Sequence, residues 1–165
     1  MVEMELTRIL IAETRDGQII VLKEKNGSRA FPIVIGYFEA AAIDRHVKEI
    51  PMPRPLTHDL LASVIETFGG KLERVVINDL RDNTFFGLLY IRRGDELLEV
   101  DTRPSDAIAL AVKSEAPIFV EDHVLEEVCG SFDLSELDLG LGNEDDDPDG
   151  GDDAPRDEGE DKTDT

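Results

Sequence analysis

Residues 100–110 read Val-Asp-Thr-Arg-Pro-Ser-Asp-Ala-Ile-Ala-Leu and bring an arginine, a hydroxyl and two carboxylates into one turn of chain. Val100 closes an expected strand and Pro104 opens an expected helix. Proline suits the first helical position, where its missing N–H would have no partner in any case. A carboxylate in the first turn meets the positive end of the helix dipole. The local chemistry therefore fits two readings. In one, the polar groups cap a helix. In the other, Arg103 holds a phosphate in its planar fork, with Ser105 beside it, and Asp106 or Asp101 binds a divalent cation or accepts a proton.

A second cluster is Arg54-Pro55-Leu56-Thr57-His58-Asp59-Leu60-Leu61. Thr57 is a natural N-cap, which leaves Asp59 to meet the dipole and His58 in solvent. The functional alternative makes His58 a proton shuttle, since imidazole titrates near neutrality. Asp59 would then orient it or hold a metal, and Arg54 would bind phosphate. A third cluster, residues 78–83, reads Asn-Asp-Leu-Arg-Asp-Asn. Asp82-Asn83 suits a hairpin turn, and Asp79, near a strand end, is within reach of a shared site. His46, late in its helix, and His123, at a helix start, read as solvated. The chain holds no phosphate-binding glycine loop and no histidine pair at metal-ligand spacing.

These clusters need a frame. Alternating apolar residues and turn signals predict strands over residues 2–13, 18–24 and 29–35. Gly36 then releases a helix to about Val47, and a Pro-rich connector spans residues 51–55. The next helix, residues 58–68, carries Leu60, Leu61, Val64, Ile65 and Phe68 on one stripe, the 3.6-residue period of a core-facing helix. Gly69-Gly70 stops it. The rhythm restarts with strands over residues 72–80, 84–92 and 96–101, a helix over 104–113, an extended 117–120 and a helix over 122–129. An offset of 66 aligns Asp16 with Asp82, Leu22 with Leu88 and Val34 with Val100, and an offset of 65 aligns Lys48 with Lys113 and His58 with His123. The expected fold is α+β: two duplicated β3α2 units forming one mixed, curled or barrel-like sheet with helices outside. The alternative is an open sheet whose halves merely share a rhythm. The repeat also sets Arg103 and Asp106 opposite residues 35–40, where the first half offers one carboxylate, Glu39, and no arginine.

The net charge of −21 is uneven. Residues 1–130 carry 15 basic and 23 acidic side chains, and residues 131–165 carry 2 basic and 15 acidic. From Asn143 onward there is no Val, Ile, Leu, Met or aromatic residue. Such a composition cannot bury enough apolar surface to offset the entropy of ordering it. The expected organisation is one folded domain over residues 1–130 and a disordered acidic tail over 131–165. Acidity argues against nucleic-acid binding by bulk attraction. It leaves room for a local basic groove built from Arg54, Arg74, Arg81, Arg92, Arg93 and Arg103. A single cysteine, Cys129, excludes an internal disulfide and a cysteine-based zinc site. The acidic, alternating first residues differ from a secretory signal, and no apolar run approaches the ~20 residues of a membrane span. A cytoplasmic protein with no membrane partner is the expectation.

Four segments, in order, resemble one family. They are Phe31-Pro32-Ile33-Val34-Ile35-Gly36, the Arg54-to-Leu61 cluster, Val75-Val76-Ile77-Asn78-Asp79-Leu80 followed by Thr84-Phe85-Phe86, and Arg103-Pro104-Ser105-Asp106-Ala107-Ile108-Ala109-Leu110. Over residues 1–129 the chain resembles the bifunctional nuclease domain family. The resemblance implies an α+β fold with a duplicated sheet, a wedge-shaped homodimer, a groove serving as active site and, for some members, hydrolysis of DNA and RNA. It makes His58, Asp59 and Asp106 the catalytic candidates and Arg54, Arg103 and Ser105 the substrate-binding candidates. Asp59, Asp79 and Asp106 become the candidate ligands of a divalent cation such as Mg²⁺ or Mn²⁺. The competing expectation is a non-catalytic binding or regulatory module whose acidic tail contacts a basic partner or masks a groove.

Overall fold

Alternation along the first residues turns Met4 into the core and leaves Glu3 and Glu5 on the other side, forming strand β1 (Val2–Leu10). The computed structural model describes residues 1–11 and 17–131. The expected acidic tail lies outside these residues except for Ser131, as does Asp16 of the expected first turn. After β1 come β2 (Gln18–Glu24), β3 (Ala30–Ile35), α1 (Tyr37–Val47), α2 (Thr57–Thr67), β4 (Lys71–Arg81), β5 (Thr84–Arg93) and β6 (Glu96–Thr102). α3 (Pro104–Ser114), β7 (Ile118–Val120) and α4 (Asp122–Ser131) complete the order. Asp82 and Asn83 both adopt left-handed backbone, φ 49° and 58°. That is the requirement of a type I′ hairpin, which the short polar side chains of Asp and Asn tolerate. Gly69, at φ 76°, ends α2 in the conformation that favours glycine.

The seven strands form one mixed sheet in the order β3-β2-β1-β7-β4-β5-β6. Each half supplies an antiparallel meander, β1-β2-β3 or β4-β5-β6. β7 joins them, pairing antiparallel with β1 (Val2 opposite Val120) and parallel with β4 (Val75 opposite Ile118). The sheet is not closed: β3 and β6 are its two edges. It does bend, because Phe31 of β3 stacks on Phe85 of β5 at 5.7 Å between ring centroids.

The core is shared by one sheet face and all four helices. It joins Ile20, Phe31, Val75, Ile77 and Leu89 of the strands to Ile43, Ala62, Ile108 and Leu125 of the helices. Val76, which points from the opposite face of β4, stands outside that cluster. α3 is the most enclosed helix: Ala107, Ile108, Ala109, Leu110 and Ala111 are all buried, and the small alanines let α1, α2, β4 and β5 approach it. Gly87 serves the same end. A side chain there would press on Thr102 O at 3.3 Å and on Pro104 at 3.5 Å, so glycine lets the start of α3 lie against β5. No helix among the described residues is long and apolar enough to cross a membrane.

One expectation is corrected. The stripe on α2 does not face the core: Leu60 is 59% exposed and Phe68 75%, and Leu61 and Val64 are also exposed. The helix packs instead through Ala62 and, partly, Ile65. An amphipathic period reveals that an apolar face exists, but not that the same chain covers it.

Candidate active site

α2 and α3 begin in the same way and use their first turns differently. Asp59 and Asp106 both stand at the third helical position, and His58 and Ser105 at the second. Asp59 turns back as a cap: the Leu56 N–H donates to its Oδ2 at 2.9 Å. Leu56, rather than Thr57, is therefore the N-cap residue. Asp106 makes no cap bond. Its carboxylate faces sideways, with Oδ1 3.0 Å from His58 Nε2. Arg103 donates to the same carboxylate from Nε (2.8 Å) and Nη2 (3.1 Å), and its Nη1 lies 2.9 Å from Glu39 Oε1 in the first turn of α1. Three helix starts thus meet in one polar chain, Glu39–Arg103–Asp106–His58.

This chain lines an open cleft of about 640 Å³, with Phe38, Leu56 and Leu60 as its apolar wall. Burial on its own would raise the Asp106 carboxyl, but the bonds from Arg103 and His58 outweigh it and hold the group below the usual carboxylate range. A carboxylate offers only acceptors. Asp106 therefore selects the His58 tautomer with a proton on Nε2, which leaves the Nδ1 lone pair for proton transfer.

Asp59, expected as a partner of His58 or a metal ligand, belongs to a separate, half-buried node. It accepts from Arg45 Nη2 at 2.9 Å and lies 3.0 Å from His46 Nε2 and 3.1 Å from Lys113 Nζ. Its desolvation is overcome by His46, the Leu56 N–H, Arg45 and Lys113, which hold the carboxyl far below its ordinary value. His46, expected in solvent, has a side chain only 8% exposed. The node ties α1, α2 and α3 together one residue away from His58.

Asp79 accepts from Arg81 Nε at 2.6 Å and has His123 Nε2 at 3.7 Å, partners distinct from those of His58 and Asp106. Arg81 first, then the Leu80 N–H, lower its carboxyl against the effect of desolvation. Asp59, Asp79 and Asp106 do not converge: among the described residues no three His, Cys, Asp or Glu side chains group to hold a metal ion. The carboxylate that does share Asp106's cleft is Glu39, joined through Arg103. Arg54 is exposed on the connector and has no ion pair among the described residues. Asp101, on β6, is exposed. Ser105 is buried and lines a second, smaller cleft, of which Arg103 is also part.

Sequence reasoning singled out eight of these positions but missed Arg45, His46 and Lys113 as a set. Their spacing on two helices carries no local signature. Glu39 was visible only as the lone carboxylate in its repeat position.

Comparison with known proteins adds ancestry to this geometry. Residues 20–132 match the bifunctional nuclease domain family. An uncharacterized protein of Mycobacterium tuberculosis is 39% identical over 125 residues, covering 76% of this chain and 74% of that protein. Bifunctional nuclease 1 of Oryza sativa subsp. japonica is 27% identical over 109 residues, 64% of this chain and 33% of that protein. Bifunctional nuclease 2 of Arabidopsis thaliana is 26% identical over 109 residues, with the same coverage. The match therefore spans about a third of the plant proteins' length.

Proposed function

Because this chain belongs to the bifunctional nuclease domain family, we propose that it hydrolyses phosphodiester bonds of DNA or RNA in the cleft between α1, α2 and α3. One observation carries the reading: the 3.0 Å contact between His58 Nε2 and Asp106 Oδ1, with Arg103 on the far side of the carboxylate. In this mechanism His58 Nδ1 takes the proton of the attacking water while Asp106 orients the ring and stabilises the imidazolium that forms. Arg103 exchanges one of its two carboxylate contacts for a phosphoryl oxygen, a change its planar fork allows. Arg54, exposed beside the cleft residue Pro55, is available to a neighbouring phosphate.

The donor set also suits a hard cation. Mg²⁺ keeps several waters and is commonly held by one or two carboxylates together with substrate phosphate, which Glu39 and Asp106 would provide. Such an ion would polarise a phosphoryl oxygen and offset its charge.

A homodimer belongs to the same reading, supported by the exposed apolar face of α2 (Leu60, Leu61, Val64, Phe68). The acidic composition of residues 132–165 supports contact with a basic partner. The common order of three strands followed by helix in both halves supports descent from one duplicated unit.

The test is cleavage of end-labelled single- and double-stranded DNA and RNA by the purified chain with Mg²⁺, Mn²⁺ or EDTA, beside His58→Ala and Asp106→Asn. The expected result is metal-dependent cleavage lost in both variants. Absence of cleavage under every condition, or full activity in His58→Ala, would overturn the reading.

A further inference from the structure

We propose that the smaller cleft, an open slot bordered by β3, the β4–β5 hairpin and the start of α3, is a nucleobase subsite that takes one unpaired base and makes the substrate single-stranded. The inference rests on the nuclease reading and names the substrate class of that same site.

The cleft holds about 300 Å³. That is the lower end of the ~300–1,000 Å³ of small-molecule sites, a size for one base or nucleoside and not for a stacked pair. Its walls combine Ile33, Ile35 and Phe85 with three neutral polar side chains, Asn83, Thr84 and Ser105. Ser105 is 7% exposed, and its hydroxyl has no hydrogen-bond partner among the described residues. Its oxygen is open to the cleft and not sealed in the core, so it can donate to or accept from a ligand there. Asn83 adds an amide that can donate and accept together, as the edge of a base requires.

Charge argues for a base over a second phosphate. The guanidinium of Arg103, the cleft's basic group, is already bonded to Asp106 and Glu39. What remains is a slot of mixed apolar and neutral polar surface, which fits a flat heteroaromatic ring with donors and acceptors on its edge. Arg103 lines both clefts. A phosphate held there therefore has one nucleoside directed into the small cleft and its neighbour into the cleft of His58 and Asp106. A base inside a duplex cannot enter without leaving the stack, whereas an unpaired base enters freely.

The experiment titrates the full chain with each of the four nucleoside 5′-monophosphates, and with ribose 5-phosphate, which has no base. Backbone amide NMR shifts report the site. Two variants test it: Ser105→Ala, and Asn83→Gly, which removes the amide while keeping the left-handed turn. Thermal unfolding verifies that each is folded. The expected result is perturbation around Ile33, Phe85 and Ser105 by the nucleotides but not by ribose 5-phosphate. Each variant should weaken nucleotide binding about tenfold, as expected for one lost hydrogen bond, and should change the order of preference among bases. Perturbation confined to the larger cleft, or variant affinities equal to wild type, would sink the subsite. Cleavage is scored separately. A chain that cuts with unchanged base preference in both variants rejects the subsite and keeps the nuclease. Nucleotide binding in the small cleft without any cleavage rejects the nuclease and keeps the subsite.

Discussion

Arg103 Nη1 and Glu39 Oε1 lie 2.9 Å apart, although one residue opens α3 in the second half of the chain and the other lies in the first turn of α1. The guanidinium is 66% exposed, so its removal should alter stability by only about 0–1 kcal/mol. Its effect on activity should be far larger. Arg103→Ala leaves Glu39 and Asp106 without their shared cation, and kcat/KM should fall about 10²-fold. Arg103→Lys restores charge without the fork and should recover only part of that loss. Steady-state cleavage of a labelled oligonucleotide beside a thermal melt separates the two effects.

Asp106→Asn should keep the fold and lower kcat by about 10²-fold or more. An amide can present its NH₂ group to His58 and so favour the wrong tautomer. The loss should appear in kcat more than in KM, because the carboxylate acts on the ring and not on the substrate. Equal loss in both parameters would point to a binding role instead.

The Asp59 node makes a prediction about pH. Its carboxyl is lowered in the folded chain, so the unfolded chain binds the proton more readily. The stability it contributes is fully present above the unfolded value of about 3.9 and is lost as pH falls below that value toward the folded one. Asp59→Asn leaves Arg45, His46 and Lys113 without their common carboxylate and should cost about 1–2 kcal/mol at neutral pH. It should also flatten the acid limb of the stability curve. Urea unfolding at a series of pH values measures both.

If a divalent cation joins Glu39 and Asp106, Glu39→Gln should raise the Mg²⁺ or Mn²⁺ concentration needed for half-maximal cleavage about tenfold. Asp79→Asn should leave it unchanged, since Asp79 is paired with Arg81 outside the cleft. Metal titrations of the two variants discriminate the sites.

The apolar face of α2 predicts self-association. Leu60→Glu and Phe68→Glu change residues that are 59% and 75% exposed in the protomer. Sedimentation should therefore show a dimer turned into monomer with little change in protomer secondary structure. Wild-type chain that sediments as a monomer at micromolar concentration would remove the support for a dimer.

The strands, the hairpin at Asp82-Asn83 and the helix starts at Pro104 and Asp122 were legible because each depends on a local rule, period or turn chemistry. The site was legible only in part. Asp59 and Asp106 look alike locally, both three residues into a helix behind a polar lead. Only the neighbours that the fold brings, an arginine, a lysine and a second histidine for one and a histidine with an arginine for the other, separate a cap from a cleft carboxylate. His46 shows the same limit, since position late in a helix does not tell which face another helix will cover. The α2 stripe shows its converse, a periodic face that this chain leaves open.

The place of β7 also sets the order of events when the protein is made. Each meander pairs strands close in sequence and can form soon after it leaves the ribosome. Val2 must wait for Val120, far later in the chain, before β1 gains its second neighbour. The two meanders are joined into one sheet only by this late, long-range pairing. Loop closure on that scale makes folding slow and leaves the unpaired side of β1 open to other chains in the interval.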